Sequence, residues 1–156
     1  MMTNAGGATV IIRLFESADQ AAARAVVLAG MRDHWGDAYD ESVNVDIDDI
    51  ATYYAKSRFL VACHGDVLVG TGAVTIQDDG ATAIVTRMST LASHRRKGVA
   101  RTMLHALIAH AREQRCPRVV LSTNAEWDDA VAFYRACGFE EMRRTEAGVI
   151  FVMPLS

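Results

Sequence analysis

Two strand–helix–strand connections in the second half of the chain constrain its fold more than any other feature. A predicted strand at 82–91 leads into a helix that begins near Gly98, and a short buried strand at 118–123 follows. A second predicted helix, at 127–137, leads from there into a final hairpin. Because a connection through a helix joins parallel strands, both crossings predict parallel neighbours in the sheet.

The middle of the chain predicts antiparallel pairing instead. Residues 58–76 read as two strands around a His64-Gly65-Asp66 turn, and the turn at 77–81 precedes the next strand. The elements before them are a strand and two helices, predicted at 9–15, 16–35 and 45–57. The fold class is therefore α/β (α+β): one mixed, mostly antiparallel sheet of about seven strands, flanked on both faces by about four helices. We expect a single domain over 1–156, with a loose terminus at 1–8.

Charge and cysteine content exclude several classes of protein. Lys and Arg number 16 against 19 Asp and Glu, a net charge of −3, which disfavours a nucleic-acid binder. Cys63, Cys116 and Cys137 have no metal-ligand spacing, so we predict reduced thiols and no metal. No apolar run approaches the roughly 18–20 residues of a membrane span, and the N-terminus lacks a basic leader. We therefore expect a soluble, cytoplasmic protein with no membrane partner.

The turn SHRRKG at 93–98 places three consecutive cations just before a helix, where the helix dipole disfavours them. An anion bound there would offset this cost, since helix N-termini bind phosphate and Gly98 lets it approach the backbone. The turn is neither a nucleotide P-loop nor a dinucleotide fingerprint, because the further glycines of those motifs are missing. It predicts a diphosphate cradle; the alternative is a solvated basic loop.

Two motifs in this region resemble one family. Arg95-x-x-Gly98-x-Ala100 matches the Q/R-x-x-G-x-G/A signature of the GNAT superfamily of acyl-CoA-dependent N-acetyltransferases, and AVAFYRACGF at 130–139 is similar to its A-x-x-x-Y-x-x-x-G-F segment. The order of elements resembles that fold from residue 9 to 154. The resemblance implies a GNAT-like fold with acetyl-CoA as co-substrate. It also implies direct attack, in a ternary complex, by a primary amine of a small molecule or peptide.

The resemblance also assigns roles to residues. The backbone of the strand before the cradle would bind the pantetheine arm, through Met88, Ser89 and Thr90. The pyrophosphate would lie on the diphosphate cradle, formed by Arg95, Arg96, Lys97, Gly98, Val99, Ala100 and Arg101. Asn124 would contact the arm, with an ordinary turn asparagine as the alternative. Tyr134 would be the catalytic residue that donates a proton to the departing thiolate; a core aromatic is the alternative.

This sequence departs from the family at two positions. Trp127 stands where many relatives carry asparagine, and Ile84 stands where many carry a glutamate that acts as general base. The sequence therefore identifies no base, and His94, Glu126, Asp128 and Asp129 are candidates by residue type alone. The missing glutamate motivates a second hypothesis, an acyl-CoA-binding sensor of the same fold without turnover.

The acceptor side is less defined. Acidic and aromatic residues crowd the segment between the first two helices: Asp33, Trp35, Asp37, Tyr39, Asp40, Glu41, Asp46, Asp48, Asp49, Tyr53 and Tyr54. Such a segment would suit a cationic amine through charge and cation–π attraction, and a solvated loop is the alternative. A homodimer is expected from the resemblance alone.

Overall fold

The structure is a computed structural model that describes residues 2–5, 8–36 and 44–155. Its strands are β1 (Met2–Ala5), β2 (Ala8–Leu14), β3 (Arg58–His64), β4 (Val67–Ile76), β5 (Thr82–Thr90), β6 (Arg118–Thr123), β7 (Glu140–Thr145) and β8 (Gly148–Pro154). Its helices are α1 (Gln20–Trp35), α2 (Ile50–Tyr53), α3 (Val99–Glu113) and α4 (Asp128–Ala136).

The strands form a mixed sheet in the order β1-β2-β3-β4-β5-β6-β8-β7. β5 and β6 are parallel, whereas β1–β2, β2–β3, β6–β8 and β7–β8 are antiparallel. The predicted fold class, a mostly antiparallel sheet with about four helices, is confirmed. Only the first of the two predicted parallel pairings forms. β8 lies between β6 and β7, because the last hairpin folds back and inserts its second strand.

Two predicted segments have a different structure. A loose terminus was expected at 1–8, but β1 pairs with β2 from Met2↔Ile11 to Ala5↔Ala8. A backbone ladder needs no apolar side chains, so the composition of this segment does not reveal the strand. The helix predicted at 45–57 is a short 3-10 turn, Val45–Asp48, followed by the four-residue α2. Asp46 and Asp48 pair with Arg87 and Arg24, and the Asp49 side chain caps α2.

The start of the first helix also differs in detail. The sequence pattern predicts a capping box from Ser17 to Gln20, but the N–H of Glu16 donates to the Asp19 carboxylate, at 2.8 Å. Arg13 holds the same carboxylate with two hydrogen bonds, of 2.7 and 2.9 Å. This ion pair across the β2–α1 connection fixes Asp19, and therefore the cap, one residue earlier than the pattern indicates.

The chain divides into two compact units. The first contains the residues up to Ala73 together with Arg87–Leu107, and the second contains Val74–Thr86 and the residues from Ile108 onward. The first has an apolar core of Ala23, Val26, Val27, Leu28, Ile47, Ile50, Phe59, Val61, Leu68 and Ala73. Buried residues of the second include Ala111, Cys116, Val119, Leu121, Phe139, Val149 and Phe151. A single domain stays a prediction.

Candidate functional site

The predicted pantetheine strand is the last part of β5. The parallel ladder of β5 with β6 contains three pairs, from Thr82↔Arg118 to Ile84↔Val120. Met88, Ser89 and Thr90 therefore lie beyond this ladder. The β5–β6 ladder does not use the N–H and C=O groups of these three residues. An extended ligand arm could hydrogen-bond only to backbone groups that are not used in this way.

The side chains of Met88 and Ser89 are used in packing. The Ser89 hydroxyl donates to the carbonyl of Val26 in α1, at 3.1 Å, and a Cβ added at Gly30 would lie 2.4 Å from that hydroxyl oxygen. On the other face, a Cβ added at Gly72 would lie 2.9 Å from the Met88 sulfur. These two side chains are thus engaged in packing, and binding of a ligand by the backbone of this segment stays a prediction.

The diphosphate cradle lies at the start of α3. The N–H of Thr102 donates to the carbonyl of Gly98, at 3.0 Å, so Gly98 is the cap residue of this helix. The N–H groups of the first helical turn, from Val99 to Arg101, have no intrahelical acceptor by geometry. Gly98 has a φ of +83°, a conformation that side-chain-bearing residues rarely adopt. Close approach by an anion would favour glycine at this position, and the backbone conformation is a second, independent reason for it.

The cations of the cradle have two different roles. All four, Arg95, Arg96, Lys97 and Arg101, are exposed. Arg95 also donates to the Asp33 carboxylate in α1, at 2.5 Å, and to the carbonyl of Thr90, at 3.1 Å. Arg95 therefore ties the cradle to α1 and to the end of β5. Val99 is buried and Ala100 is half-buried, so they offer a ligand mainly backbone.

His94, one residue before the cradle, pairs with a second histidine. A hydrogen bond of 2.7 Å joins its Nε2 to Nδ1 of His64, and Ser93 Oγ lies 2.8 Å from its Nδ1. Burial, together with His64 and Lys97, lowers the pKa of His94, which favours the neutral ring. This contact could not be read from the sequence, because nothing local links the β3–β4 turn to the cradle.

Tyr134 is a buried residue of α4 in the second unit. Its ring contacts Phe133, Phe139 and Phe151, with centroids 5.2, 6.1 and 6.1 Å away. Burial raises the pKa of the phenol, and Cys137 raises it further. The hydroxyl is therefore neutral near pH 7 and can donate a hydrogen bond but cannot act as a base. Both readings of Tyr134 from the sequence, core aromatic and donor, are compatible with this environment.

Asn124, also in the second unit, forms a turn. Its side-chain oxygen accepts from the N–H of Glu126, at 2.9 Å, and its carbonyl accepts from the N–H of Trp127, at 3.1 Å. This is the ordinary turn asparagine that the sequence left open. A contact between Asn124 and a pantetheine arm stays a prediction.

Sequence reasoning missed an ion pair that joins β5 to the segment before α2. Arg87 donates to both carboxylate oxygens of Asp46, at 2.8 and 2.6 Å, and to the side-chain oxygen of Asn44, at 2.9 Å. The Tyr54 hydroxyl donates to the same Asp46, at 2.5 Å. We call these four residues the Arg87 clamp. Only the acidic composition of the segment could have hinted at a buried cation partner.

The pKa values in the Arg87 clamp follow from burial and hydrogen bonding. Burial works to raise the pKa of Asp46, but the hydrogen bonds from Arg87 and Tyr54 outweigh it and lower that pKa. Burial, reinforced by the Asp46 carboxylate, raises the pKa of Tyr54 to about 12. Asp46 is thus charged and Tyr54 neutral over the ordinary pH range.

The acidic segment is less negative than its composition indicates. Asp33 pairs with Arg95, Asp46 with Arg87, and Asp48 with Arg24, the last at 3.0 Å. The Asp49 carboxylate accepts from the N–H of Thr52 at the start of α2. Four carboxylates that were expected to attract a cation therefore already have partners. Asp37, Tyr39, Asp40 and Glu41 lie outside the described residues.

The described residues contain neither a cluster that could bind a metal ion nor a helix that could cross a membrane. Over 2–5, 8–36 and 44–155, no group of three or more His, Cys, Asp or Glu side chains could hold a metal ion. None of the helices in these ranges is long and apolar enough to cross a membrane.

Comparisons of this chain with a family model and with individual proteins point to the same family. The sequence model of the acetyltransferase (GNAT) family matches residues 28–139, which is more than half of the chain. N-acetyltransferase 8 of Rattus norvegicus is 31% identical over 114 residues, which are 69% of this chain and 51% of that protein. N-acetylaspartate synthetase of Danio rerio is 33% identical over 110 residues, 69% of this chain and 39% of that protein. The chain thus spans about half the length, or less, of these relatives.

A solved structure shares the fold. The PaiA N-acetyltransferase of Thermoplasma acidophilum, in complex with coenzyme A, superposes with a TM-score of 0.81 at 14% identity. The match covers 94% of this chain and 99% of that one. At this identity the likeness concerns the fold alone.

Proposed function

Because this chain belongs to the GNAT acetyltransferase family, we propose that it transfers the acetyl group of acetyl-CoA to a primary amine. The observation that carries the proposal is the start of α3, where a left-handed Gly98 and the exposed cations of the cradle surround helix N–H groups that have no intrahelical acceptor. A diphosphate is the ligand that this combination suits best.

The cradle would hold the cofactor through backbone and side chains together. The N–H groups of Val99, Ala100 and Arg101 would donate to the pyrophosphate, and Arg96 and Lys97 would add charge-assisted hydrogen bonds. Arg95 would also brace the turn, since its guanidinium is bound by Asp33 and Thr90, and its contact with the pyrophosphate stays a prediction. The backbone of Met88–Thr90 would pair with the pantetheine arm. The fold relative that contains coenzyme A supports this choice of ligand.

The reaction would be direct acetyl transfer. The lone pair of a neutral amine attacks the thioester carbonyl, the C–S bond breaks, and CoA leaves as a thiolate while the amine proton passes to water. Holding the amine and the thioester in line would supply most of the rate acceleration, since effective molarities of well-oriented reactants reach roughly 10⁵–10⁸ M. Ile84 provides no base, so the amine would lose its proton to solvent.

Tyr134 would stabilise the departing thiolate by a hydrogen bond. A phenol has an ordinary pKa of about 10 and a thiol of about 8.5, so full proton transfer is already unfavourable. Burial raises the pKa of Tyr134 further, so the proton would stay on the phenol. The hydrogen bond alone would then stabilise the negative charge of the departing thiolate.

For the acceptor, we propose the α-amine of an amino acid or peptide in place of a polycation. The carboxylates at 33, 46 and 48 are already neutralised by arginines, which removes much of the attraction expected for a polyamine. The relative named N-acetylaspartate synthetase supports an amino-acid amine as the class. The homodimer stays a prediction.

The test compares Gly98→Glu with a matched control. Gly80 lies in the β4–β5 turn with a similar positive φ, +68°, and open surroundings, so Gly80→Glu carries the same backbone strain and charge. Calorimetry should show that Gly98→Glu abolishes CoA binding, whereas Gly80→Glu binds as the wild type does. Equal binding by both variants would refute the cradle.

Turnover is tested separately by thiol release with amino acids, peptides and polyamines. We expect release of CoA with an α-amine acceptor. Coenzyme A binding without turnover across a broad panel would favour the sensor, the second hypothesis that Ile84 motivates.

A further inference from the structure

We propose that Arg87 is a positioning residue for this reaction: its ion pair with Asp46 holds a left-handed backbone turn in β5 that aims the backbone of Met88–Thr90 at the acyl-CoA. The inference rests on the proposed function, because it assigns a purpose to the segment expected to bind the cofactor. None of the residues of the Arg87 clamp belongs to the motifs at 95–100 and 130–139.

The backbone at Arg87 is strained. Its φ is +56° within a strand, although an L-residue with a side chain is disfavoured in this region. Such a conformation persists only where surrounding contacts enforce it. Two sets of contacts do so here, one on the main chain and one on the side chain.

The main-chain contact is made by Thr71 of β4. Its hydroxyl donates to the carbonyl of Arg87, at 2.7 Å, and Thr71 is itself only 1% exposed. Because a trans peptide is planar, fixing this carbonyl also fixes the N–H of Met88, which points the opposite way. The direction of the first backbone donor in the predicted pantetheine strand is therefore set at Arg87.

The side-chain contact is the clamp itself. The side chains of Arg87 and Asp46 are 15% and 13% exposed, and two parallel hydrogen bonds join them. This bidentate geometry fixes orientation as well as distance. Removal of either partner leaves a largely buried charge without its counter-ion, so the pair acts as one unit.

The consequence of losing the clamp is specific. An arginine that relaxed from φ +56° to the extended region would turn the following residues toward the opposite faces of the sheet. Met88 and Ser89 would then leave their contacts with Gly72 and α1, and the backbone donors of this segment would be misdirected. We therefore expect clamp variants to lose coenzyme A affinity, not only stability.

The experiment separates backbone positioning from charge. Arg87→Ala removes the clamp and keeps a Cβ, whereas Arg87→Gly removes the clamp but allows the left-handed conformation without penalty. We expect Arg87→Ala to weaken CoA binding about tenfold or more, the size of effect typical of this backbone preference, and Arg87→Gly to recover most of it. Asp46→Asn and Arg87→Lys, which disturb the bidentate pair more mildly, should give intermediate losses.

Arg115 is the matched control. It is also a left-handed arginine, with φ +60°, but it lies in the turn after α3. Arg115→Ala and Arg115→Gly should differ in thermal midpoint and bind CoA as the wild type does. The midpoints of the Arg87 variants then show how much of their loss is stability alone.

Coenzyme A affinity by calorimetry, kcat and KM for acetyl-CoA are measured for each variant. Wild-type affinity in every clamp variant, with only the thermal midpoint lowered, would overturn the proposal, as would equal affinity losses in Arg87→Ala and Arg87→Gly. If Arg87→Ala fails to fold, Arg87→Lys takes its place and must bind CoA more weakly than Arg87→Gly. If the wild-type protein binds CoA without turnover, the proposed acetyl transfer is refuted, and the CoA affinities of the Arg87 variants still test the positioning role of Arg87. Wild-type protein that does not bind CoA would overturn both.

Discussion

Tyr134 shows how a residue's surroundings restrict its chemistry. In water a phenol could lose its proton at high pH, but burial among aromatic rings raises the pKa of Tyr134. The residue can then serve as a hydrogen-bond donor over the whole ordinary pH range. Because a buried phenol both packs against other rings and keeps its proton, the two interpretations of Tyr134, core aromatic and hydrogen-bond donor, are both compatible with its surroundings.

Tyr134→Phe should lower kcat while leaving CoA affinity unchanged. The ring and its packing are kept, and only the donor to the departing thiolate is lost. Removal of one such donor typically costs about 10²-fold in kcat. Steady-state kinetics and calorimetry on the same preparation measure the two quantities. Normal turnover by the phenylalanine variant would show that Tyr134 is a core aromatic only.

Asp46 gives a prediction for acid stability. Its pKa in the folded protein is lowered, so its contribution to stability is present above the unfolded pKa of about 3.9 and is lost as the pH falls through the folded value. Asp46→Asn should therefore be less stable than wild type at pH 7, and the difference should shrink below about pH 4. Denaturant titrations at pH 7 and pH 3 measure this. A stability difference that is constant from pH 7 to pH 3 would mean that the contribution of Asp46 to stability does not depend on its charge.

At the scale of elements, the contact between α1 and β5 is unusually close. Gly30 leaves room for the Ser89 hydroxyl, which a Cβ at residue 30 would approach to 2.4 Å. Ser89 uses that room to donate to the carbonyl of Val26. A glycine inside a helix is therefore explained here by packing, not by its backbone conformation.

Gly30→Ala tests this contact, because two effects oppose each other. Helix propensity favours alanine by about 1 kcal/mol, whereas overpacking a close contact costs about 1–3 kcal/mol. We expect net destabilisation by Gly30→Ala alone. Adding Ser89→Ala removes the clashing oxygen, so the double variant should be more stable than the two single effects predict. Thermal or denaturant unfolding of the four proteins gives this coupling, and strict additivity would show that the two elements adjust without strain.

At the scale of the whole molecule, charge is distributed unevenly. The chain carries −3 overall, yet exposed Arg96, Lys97 and Arg101 surround one helix terminus. Net charge alone would repel an anionic cofactor, and salt would then strengthen binding. The screening length at physiological ionic strength is about 8 Å, so the cations nearest the phosphates should dominate over the distant acids.

The affinity for CoA should therefore fall as salt rises, in spite of the negative net charge. We expect the Kd to increase several-fold between 50 and 500 mM NaCl, because over this range the screening length falls to about a third and the attraction between the cations and the diphosphate weakens. Calorimetric titrations across this range measure the slope. An affinity that is constant or rises with salt would mean that the cations do not contact the diphosphate.

Local sequence was sufficient for most elements and for the backbone of the site. The strand at 118–123 matches β6, the basic turn is followed by α3, and Gly98 is the cap of that helix. These features depend on residues close together in the chain: apolar periodicity, a proline stop and a glycine before a helix. Their physical causes act within one or two turns, so the sequence alone determines them.

The tertiary structure alone decided the features that join distant segments. β8 inserts between β6 and β7, His94 pairs with His64 across 30 positions, and Arg87 pairs with Asp46 across 41. The left-handed backbone of Arg87 depends on such contacts, since the residue type disfavours it. A charged residue has many partners of opposite sign along a chain, and only packing selects one. The sequence by itself therefore determined the family and the basic turn before α3, whereas folding determined which charged side chains already have partners.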